Sequence, residues 1–388
     1  MRQVETSPSP TVQQVSDVLP SGEPMLAVLA KRTYDVRAGR CVPADEQPPL
    51  VGVPVDDPDD PAILAADTDL HPYKPRTDVV VLGHARAKSR MRRFDVAVRV
   101  GAHEHRIAVL GERTCTIGPG GKILFSEPKP VDQVPLTYAR AYGGWDRLAE
   151  DRHGNPLKDP DAFGRAFDGV DLDAASPFRY PRNPAGRGYL VELEPGTRAE
   201  LPLPQLEDPR DLLTPERLLC DWIDNWHRMP LPWATGWINY NWYPRIAFAG
   251  LVPIVEFFDE PPIEVERRLV PDYLADGTGT TDFSSRFELA CGAHPGLPLP
   301  HLRGGEPVEL EGMHPAQHRW TFTVPPAPAL HVDGRDGKLL PCEPVLHTLL
   351  LEPDQSRVTL VWRGCARARR PYAPHELEAM PLRVAWRD

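Results

Sequence analysis

Proline occupies 47 of the 388 positions of this chain, and another 29 are glycine. Proline locks φ and has no backbone N–H, so inside a helix it removes a hydrogen bond and clashes with the preceding turn. Long helices therefore have little room. What fits between the prolines is short extended segments joined by turns, and the apolar residues fall that way. Phe94, Val96, Val98 and Val100 alternate with Asp95, Ala97 and Arg99, a period of two that buries one face of a strand and leaves the other wet. The segments VLAKRTYDV (from Val28), HRIAVLG (105–111), RTCTIG (113–118) and YLVELE (189–194) carry the same signal. So do Trp320, Phe322 and Val324, then Val358, Leu360 and Trp362, then Leu382, Val384 and Trp386. The expected fold is mainly β, as two packed antiparallel β-rich lobes with a few short helices.

Two stretches read as helices. Thr214-Pro215-Glu216 has an N-cap residue, a proline at the first helical position and an acid near the positive end of the helix dipole. Leu218, Leu219, Trp222, Ile223 and Trp226 follow at helical spacing. The second stretch is Pro262 to Leu274. Residues 1–22 are polar and rich in Pro and Ser, which predicts a flexible tail. The proline-rich PLPQLEDPRD (202–211) suggests a boundary between an N-terminal lobe, 23–204, and a C-terminal lobe, 205–388, in which helices precede strands; one continuous domain is the alternative.

Charge and cysteine spacing exclude some functions. Lys and Arg number 44 against 55 Asp and Glu, a net charge of −11, whereas binding a phosphate backbone needs clustered cations. Basic residues do gather at Lys88, Arg90, Arg92 and Arg93 and between Arg363 and Arg370, but both groups flank strands, as solvated faces do. No nucleic-acid partner is expected. Cysteines 41, 115, 220, 291, 342 and 365 contain no CxxC pair, so neither a zinc knuckle nor a disulfide framework is expected. The opening residues MRQVETSPSPTVQQ lack the apolar core of a signal peptide. The longest apolar run, Ile246 to Val255, is broken by Gly250 and Pro253 and is too short to span a bilayer. A cytoplasmic protein with reduced thiols and no membrane partner is the expectation.

Each motif that could carry chemistry fails on a specific requirement. GPGGK (118–122) has Thr116 and Ile123 where a phosphate loop needs a glycine and a hydroxyl residue, so a hairpin turn explains its glycines. NPAGRGY (183–189) lacks the strand-then-helix setting of a dinucleotide fingerprint. Ser126 and Lys129 spell SxxK, but Pro128 and Pro130 forbid the helical turn that would bring lysine to serine. His314 and His318 are separated by Pro315 and have no evident third ligand, as is also true of His103 and His105. The acidic run Asp56, Asp57, Asp59 and Asp60 lacks the glycine of a calcium loop. No catalytic, cofactor-binding or metal-binding residue is expected, and the chain reads as a binding protein rather than an enzyme.

The aromatic residues are more informative. Trp222, Trp226, Trp233, Trp237 and Trp242 fall within one short segment, joined by Tyr240 and Tyr243. Trp222 and Trp226 share a helix face with leucines, as core residues do. Trp233, Trp237, Tyr240 and Tyr243 lie on a stretch broken by Pro, Gly and Asn, where exposure is expected. Large aromatics dominate binding hot spots, which makes Trp226, Trp233, Trp237, Tyr240, Trp242 and Tyr243 the candidate partner-binding surface. A core between two sheets is the alternative.

A family resemblance joins these segments. DLHPYKPRTDVVVLGHARA (69–87), VRVG, LGERT, PLTYARAYGG (135–144), NPAGRGY (183–189), WYPRIAFAG (242–250), LRGGEPVELEGM (302–313) and VTLVWRG (358–364) occur in an order that resembles the domain-of-unknown-function 2169 family. The likeness spans Met25 to Trp386. After Gly250, where the family continues with threonine, tyrosine and aspartate, this chain has Leu251-Val252-Pro253. Members are typically encoded beside type VI secretion genes, so the resemblance implies a chaperone or adaptor. Such a protein would bind an effector toxin and assist its loading onto the PAAR or VgrG spike. A secreted hydrolase effector and a structural part of the spike assembly are the alternatives. Within the shared motifs, Lys74, Pro75 and Asp78 are expected to be architectural. So are Gly143, Gly144, Asn183, Pro184, Gly186, Gly188, Trp362 and Arg363. Gly186 and Gly188 are expected to take backbone angles that other residues resist, and Lys74 with Asp78 to anchor a loop to a strand.

Overall fold

The computed structural model describes residues 4–18, 22–71, 73–148, 178–191, 193–221, 223–243, 245, 290–333 and 338–387. The protein is mostly β, with its strands in several sheets, none closed into a barrel. The largest sheet runs in the order β18 (Pro298–Leu299), β7 (Thr77–Val81), β23 (Pro344–Glu352), β24 (Arg357–Arg367), β3 (Pro24–Arg37) and β2 (Val12–Val18). β4 (Arg40–Pro43) folds back on β3 as a hairpin. A five-stranded sheet follows the order β17 (Leu206–Glu207), β10 (His103–Leu110), β9 (Arg93–Val100), β19 (Pro307–Glu311) and β20 (Arg319–Thr323). Four strands, β1 (Val4–Glu5), β25 (Leu382–Ala385), β21 (Ala329–Asp333) and β22 (Leu339–Cys342), form another sheet. Smaller groups join β12 (Ile123–Phe125), β11 (Thr114–Ile117) and β16 (Ala199–Pro202), then β13 (Val131–Pro135) with β8 (His84–Met91). The remaining pairs are β14 (Tyr142–Gly143) with β15 (Arg187–Gly188), and β5 (Val55–Asp56) with β6 (Leu64–Ala66).

β3 is the spine of the large sheet. It pairs with β2 on one side and with β24 on the other, from Met25 opposite Arg367 to Asp35 opposite Arg357. Ten consecutive residues of β3 are buried, on both faces, which normally demands an apolar run. Lys31, Arg32 and Thr33 interrupt that run, and each is compensated. Lys31 Nζ lies 2.8 Å from Asp69, Arg32 stacks over the Trp386 ring at 5.0 Å, and the hydroxyls of Thr33 and Thr359 are 2.9 Å apart.

Strands pair across the expected boundary at 204/205. β3 pairs with β24, β9 with β19, and β7 runs parallel to β23 with Asp78 opposite Thr348. The main hydrophobic core accordingly draws on both halves, from Val12 to Trp386. A second core gathers Cys115, Tyr142, Tyr180, Tyr189, Leu218, Trp226 and Tyr243. Nor do residues 4–18, within the tail expected at 1–22, hang free. Val4 and Glu5 pair with β25, and β2 adds seven residues to the large sheet, with Val12 fully buried. The polar composition misled because Val12 and Gln14 alternate toward the core while Gln13 and Asp17 face out.

The helix expected from Thr214 also takes another form. Two short 3-10 segments, Pro215–Arg217 and Ile223–Arg228, replace it. Between them Cys220 N–H bonds to Leu190 O at 2.9 Å, and Asp221 adopts a left-handed φ of 65°, which a continuing α-helix cannot accommodate. Among its described residues, YLVELE contributes a bridge of Leu190 with Leu219 rather than a strand. The helix expected at 262–274 lies outside the described residues. The hairpin expected at GPGGK is present, with β11 and β12 joined through a turn at Pro119–Gly121.

Two glycine-bearing segments cross between the cores. Asn183 Nδ2 donates to the carbonyls of Tyr138 and Tyr142, each at 2.9 Å, while Gly144 N–H donates to Asn183 O at 2.8 Å. Gly144 has a φ of 92°, and a Cβ there would sit 2.4 Å from Gly186 O. Gly186 is needed for proximity rather than for its backbone angle, since its Cβ would meet Ala141 O at 2.7 Å. Gly144→Ala should therefore incur both a backbone strain of about 1–3 kcal/mol and an overpacking penalty of about 1–3 kcal/mol. Gly120 has a φ of 75° but open space around it, so Gly120→Ala should pay only the strain. Thermal melting of the two variants checks this, and equal melting temperatures would contradict it.

Candidate functional site

The aromatic segment does not form a surface. Trp226, Trp233, Trp237, Trp242 and Tyr243 are all buried, and Tyr240 is half-buried. Trp233 is stacked on His105 with ring centres 4.8 Å apart, meets His294 edge-on at 4.5 Å, and donates its indole N–H to Arg106 O at 2.6 Å. Trp242 sits edge-on to Tyr138 at 5.3 Å, and Trp226 to Tyr243 at 5.1 Å beneath the Arg182 guanidinium. The expectation of a partner-binding surface here is therefore corrected: these rings pack the seam between the two cores. Proline, glycine and asparagine do break regular structure along the segment. Its backbone, however, bonds to buried neighbours. Val81 N–H donates to Thr235 O at 2.9 Å, the Thr235 hydroxyl to Val81 O at 2.8 Å, and Ile238 N–H to Gly292 O at 2.8 Å.

Beside Trp237 lies a cluster of buried charges. Lys74 Nζ is 2.7 Å from Asp78 Oδ2 and 5.6 Å from the centre of the Trp237 ring. Asp78 also accepts N–H bonds from Gly292 at 3.0 Å and Ala293 at 3.2 Å. Arg245 reaches Asp67 at 2.8 Å, with His71 4.0 Å from the same carboxylate. Burial alone would lower the Lys74 pKa, but Asp78 and then Asp67 raise it above its ordinary value. Burial would likewise raise Asp67, and Arg245 followed by Lys74 outweighs it and brings the carboxyl down. Lys74 is therefore held as a cation rather than as a free base. Pro75 and Arg76 are half-buried beside it. Arg363 lies over the Tyr73 ring at 4.9 Å and donates to Cys365 Sγ at 2.9 Å, while Trp362 is wholly buried.

The other sequence candidates are dispersed. Ser126 Oγ accepts the Thr114 N–H at 3.0 Å, and Lys129 is exposed. His314 contacts Ser356 Oγ at 2.9 Å, whereas His318 lies 3.7 Å from Glu311. His103 bonds to Gly296 O at 2.6 Å, whereas His105 is stacked on Trp233. Asp57 accepts N–H bonds from Asp59 and Asp60 within its loop. Among the described residues, no group of three or more His, Cys, Asp or Glu is placed to hold a metal ion, and no helix is long and apolar enough to cross a membrane.

A surface feature that sequence reasoning missed lies at β2, the outer strand of the large sheet. Lys31 N–H donates to Thr11 O at 2.8 Å. Alternation from that bond directs Gln13, Val15 and Asp17 toward β3, and turns the backbone N–H and C=O of Gln14 and Ser16 outward. Among the described residues, nothing pairs with these outward groups. A groove of about 590 Å³ follows the edge, between Pro8–Pro10 and the short helix Pro374–Ala379, and is lined by Tyr372, Leu377 and Glu378. No periodicity in the sequence marks an outer strand, because that status depends on which strand fails to arrive beside it.

The buried charges and histidines make two predictions. Lys74→Met leaves Asp78 buried with no cation at contact distance, so stability should fall by about 3–5 kcal/mol. Adding Asp78→Asn, which retains an acceptor for the Gly292–Ala293 backbone, should restore part of that loss. A double variant as unstable as the sum of the singles would deny the coupling. Burial also lowers His71 and His294 to about 3 and pushes His105 and His347 well below their ordinary value. In the unfolded chain these rings gain protons below about pH 6.5. Their contribution is thus complete above that pH and is lost as the pH falls toward the folded values. The slope is at most about 1.4 kcal/mol per pH unit for each histidine. The urea midpoint should fall from about pH 7.5 to about pH 5, and His294→Gln should flatten the dependence.

No curated protein and no solved structure matches the chain. A family model does, over residues 21–363, described as an uncharacterized protein conserved in bacteria. The match includes the buried Lys74–Asp78 pair, the glycine crossing and the aromatic seam, and it extends over most of the chain. The protein therefore belongs to the DUF2169 family of uncharacterized bacterial proteins.

Proposed function

We propose that this protein is a non-catalytic cytoplasmic chaperone or adaptor that binds a type VI secretion effector and assists its loading onto the PAAR or VgrG spike. The secretion setting comes from the resemblance drawn out in the sequence. The observation that carries the binding role is the groove along β2, with outward backbone groups at Gln14 and Ser16. An extended segment of a client can add to such an edge through main-chain hydrogen bonds, which tolerate many side chains, while the groove walls select among them. That suits a helper that must cover an aggregation-prone strand of its client and later release it. The buried lysine, carboxylates and aromatics have structural tasks that account for their placement without a reaction.

The test is co-expression with the product of the neighbouring effector gene. Ser16→Pro removes an outward N–H, which outer strands tolerate, together with the hydroxyl that accepts the Tyr372 N–H at 2.9 Å, and Ser16→Ala controls for the loss of that hydroxyl. The proline variant should melt close to Ser16→Ala yet lose most of the co-purifying effector. Effector that stays soluble and is secreted normally without this protein would overturn the chaperone role. Dependence on the protein that survives Ser16→Pro would overturn only the groove as its docking face.

A further inference from the structure

The turn at the head of β2 begins a hairpin that the chain does not complete. Ser9 and Val12 exchange both main-chain hydrogen bonds, at 2.8 and 3.0 Å, across Pro10 and Thr11. Continued in that register, Ser7 would lie opposite Gln14 and Glu5 opposite Ser16, where the outward groups of β2 stand. The chain instead leaves the edge before Ser9, and Val4 and Glu5 pair with β25. We propose that residues 4–8 also close on β2, so that the chain's own arm competes with an incoming client strand for that edge. The competition rests on the docking reading above, whereas the closure does not.

Three features carry it. First, the register places each proline where its missing N–H is not needed. Pro10 is the first turn residue, and Pro8 falls opposite Gln13, at a position whose backbone points away from β2. Ser7 and Glu5, which would donate to β2, keep their N–H groups. Once closed, the arm would carry Pro8 on the new outer edge, where proline discourages further pairing. Second, both partners are open. Among the described residues, Ser7 makes no hydrogen bond, and nothing meets the outward backbone groups of Gln14 and Ser16. The groove of about 590 Å³ beside them leaves room for the arm. Third, the hold on the arm is small. β1 pairs with β25 over Val4 and Glu5 alone. The Glu5 carboxylate accepts the Ser9 hydroxyl at 2.6 Å and the Trp386 indole N–H at 3.3 Å. The hairpin has a matching weakness. Neither Pro10 nor Thr11 takes a positive φ, so the turn is not one of the mirror-image types whose twist suits paired strands, and its arms splay. Neither arrangement of the arm is thus strongly held.

A disulfide between Thr6→Cys and Val15→Cys reports the closure. In the continued register these positions form a non-hydrogen-bonded pair with Cα atoms about 4.5 Å apart, within disulfide reach. Thr6→Cys with Gln13→Cys is the control, a diagonal pair about 7–8 Å apart and beyond that reach. The full chain is oxidised mildly and the links are mapped by mass spectrometry, which separates them from the six native cysteines. Residues 6 and 15 should link faster than 6 and 13. Ser7→Pro removes the N–H destined for Gln14 and no hydrogen bond of the observed arrangement. It should slow the link about fivefold, as the loss of one net hydrogen bond implies. Glu5→Ala, which frees the arm from Ser9 and Trp386, should speed it. Equal linkage of the two pairs, no linkage, or indifference to Ser7→Pro would overturn the closure. The linked protein should also capture far less of the neighbouring effector gene's product than its reduced form. In-register linkage with undiminished capture would overturn the competition, and with it β2 as the docking face. Failure of the reduced protein to capture that product would overturn the docking reading and leave the closure standing.

Discussion

A lysine taken wholly out of water must have an anion beside it, and the centre of this protein is arranged around that requirement. Lys74 and Asp78 are both essentially inaccessible and lie 2.7 Å apart. Asp78 belongs to β7, and its remaining acceptor capacity fixes Gly292 and Ala293. Asp67 and Arg245 extend the charges to the far end of the aromatic segment. One ion pair thus ties together a loop, a central strand and two stretches distant in sequence. Replacing such a pair with apolar groups of the same shape is often neutral for stability, whereas removing one partner is not. Its value here lies in specifying which strand lies where, because an alternative arrangement strands a charge.

The aromatic seam depends on the same arrangement. Trp237 packs under Lys74, and Trp233 is held between two imidazoles whose low proton affinity follows from burial. Both cores draw side chains from the Trp226–Tyr243 stretch, so it serves as an internal wall between them. Satisfying an irregular backbone inside a protein requires partners for every amide and carbonyl, and β7 and the 290–293 segment supply them.

The strands were largely legible. Val96, Val98 and Val100 in β9, and Trp320 with Phe322 in β20, show a period that backbone geometry imposes on any half-buried strand. The turn at Gly118–Lys122 followed from glycine chemistry alone. What could not be read was partnership. Nothing local in VLAKRTYDV says that it lies between residues 12–18 and 357–367. Val12 and Gln14 were obscured by the prolines and serines around them. The helix expected from Thr214 had sound local signals, but the bond from Cys220 to Leu190 outweighed them, as tertiary contacts often do. Exposure of Trp233 and Trp237 was inferred from the breaks around them, although burial is decided by what packs above.

The interleaving of β3 with β24 and of β7 with β23 has a bearing on synthesis. When the first hundred residues leave the ribosome, β2, β3 and β4 can form their hairpins, but the neighbour that covers Ala27 to Thr33 has not yet been translated. The spine of the large sheet must wait for residues 357–367, with apolar strands unpaired in the meantime. Chains dominated by such distant pairings fold slowly and are prone to aggregation. Truncations from the C-terminus would not leave a folded N-terminal half, and a nascent chain stalled before Arg357 would be a client for cellular chaperones itself.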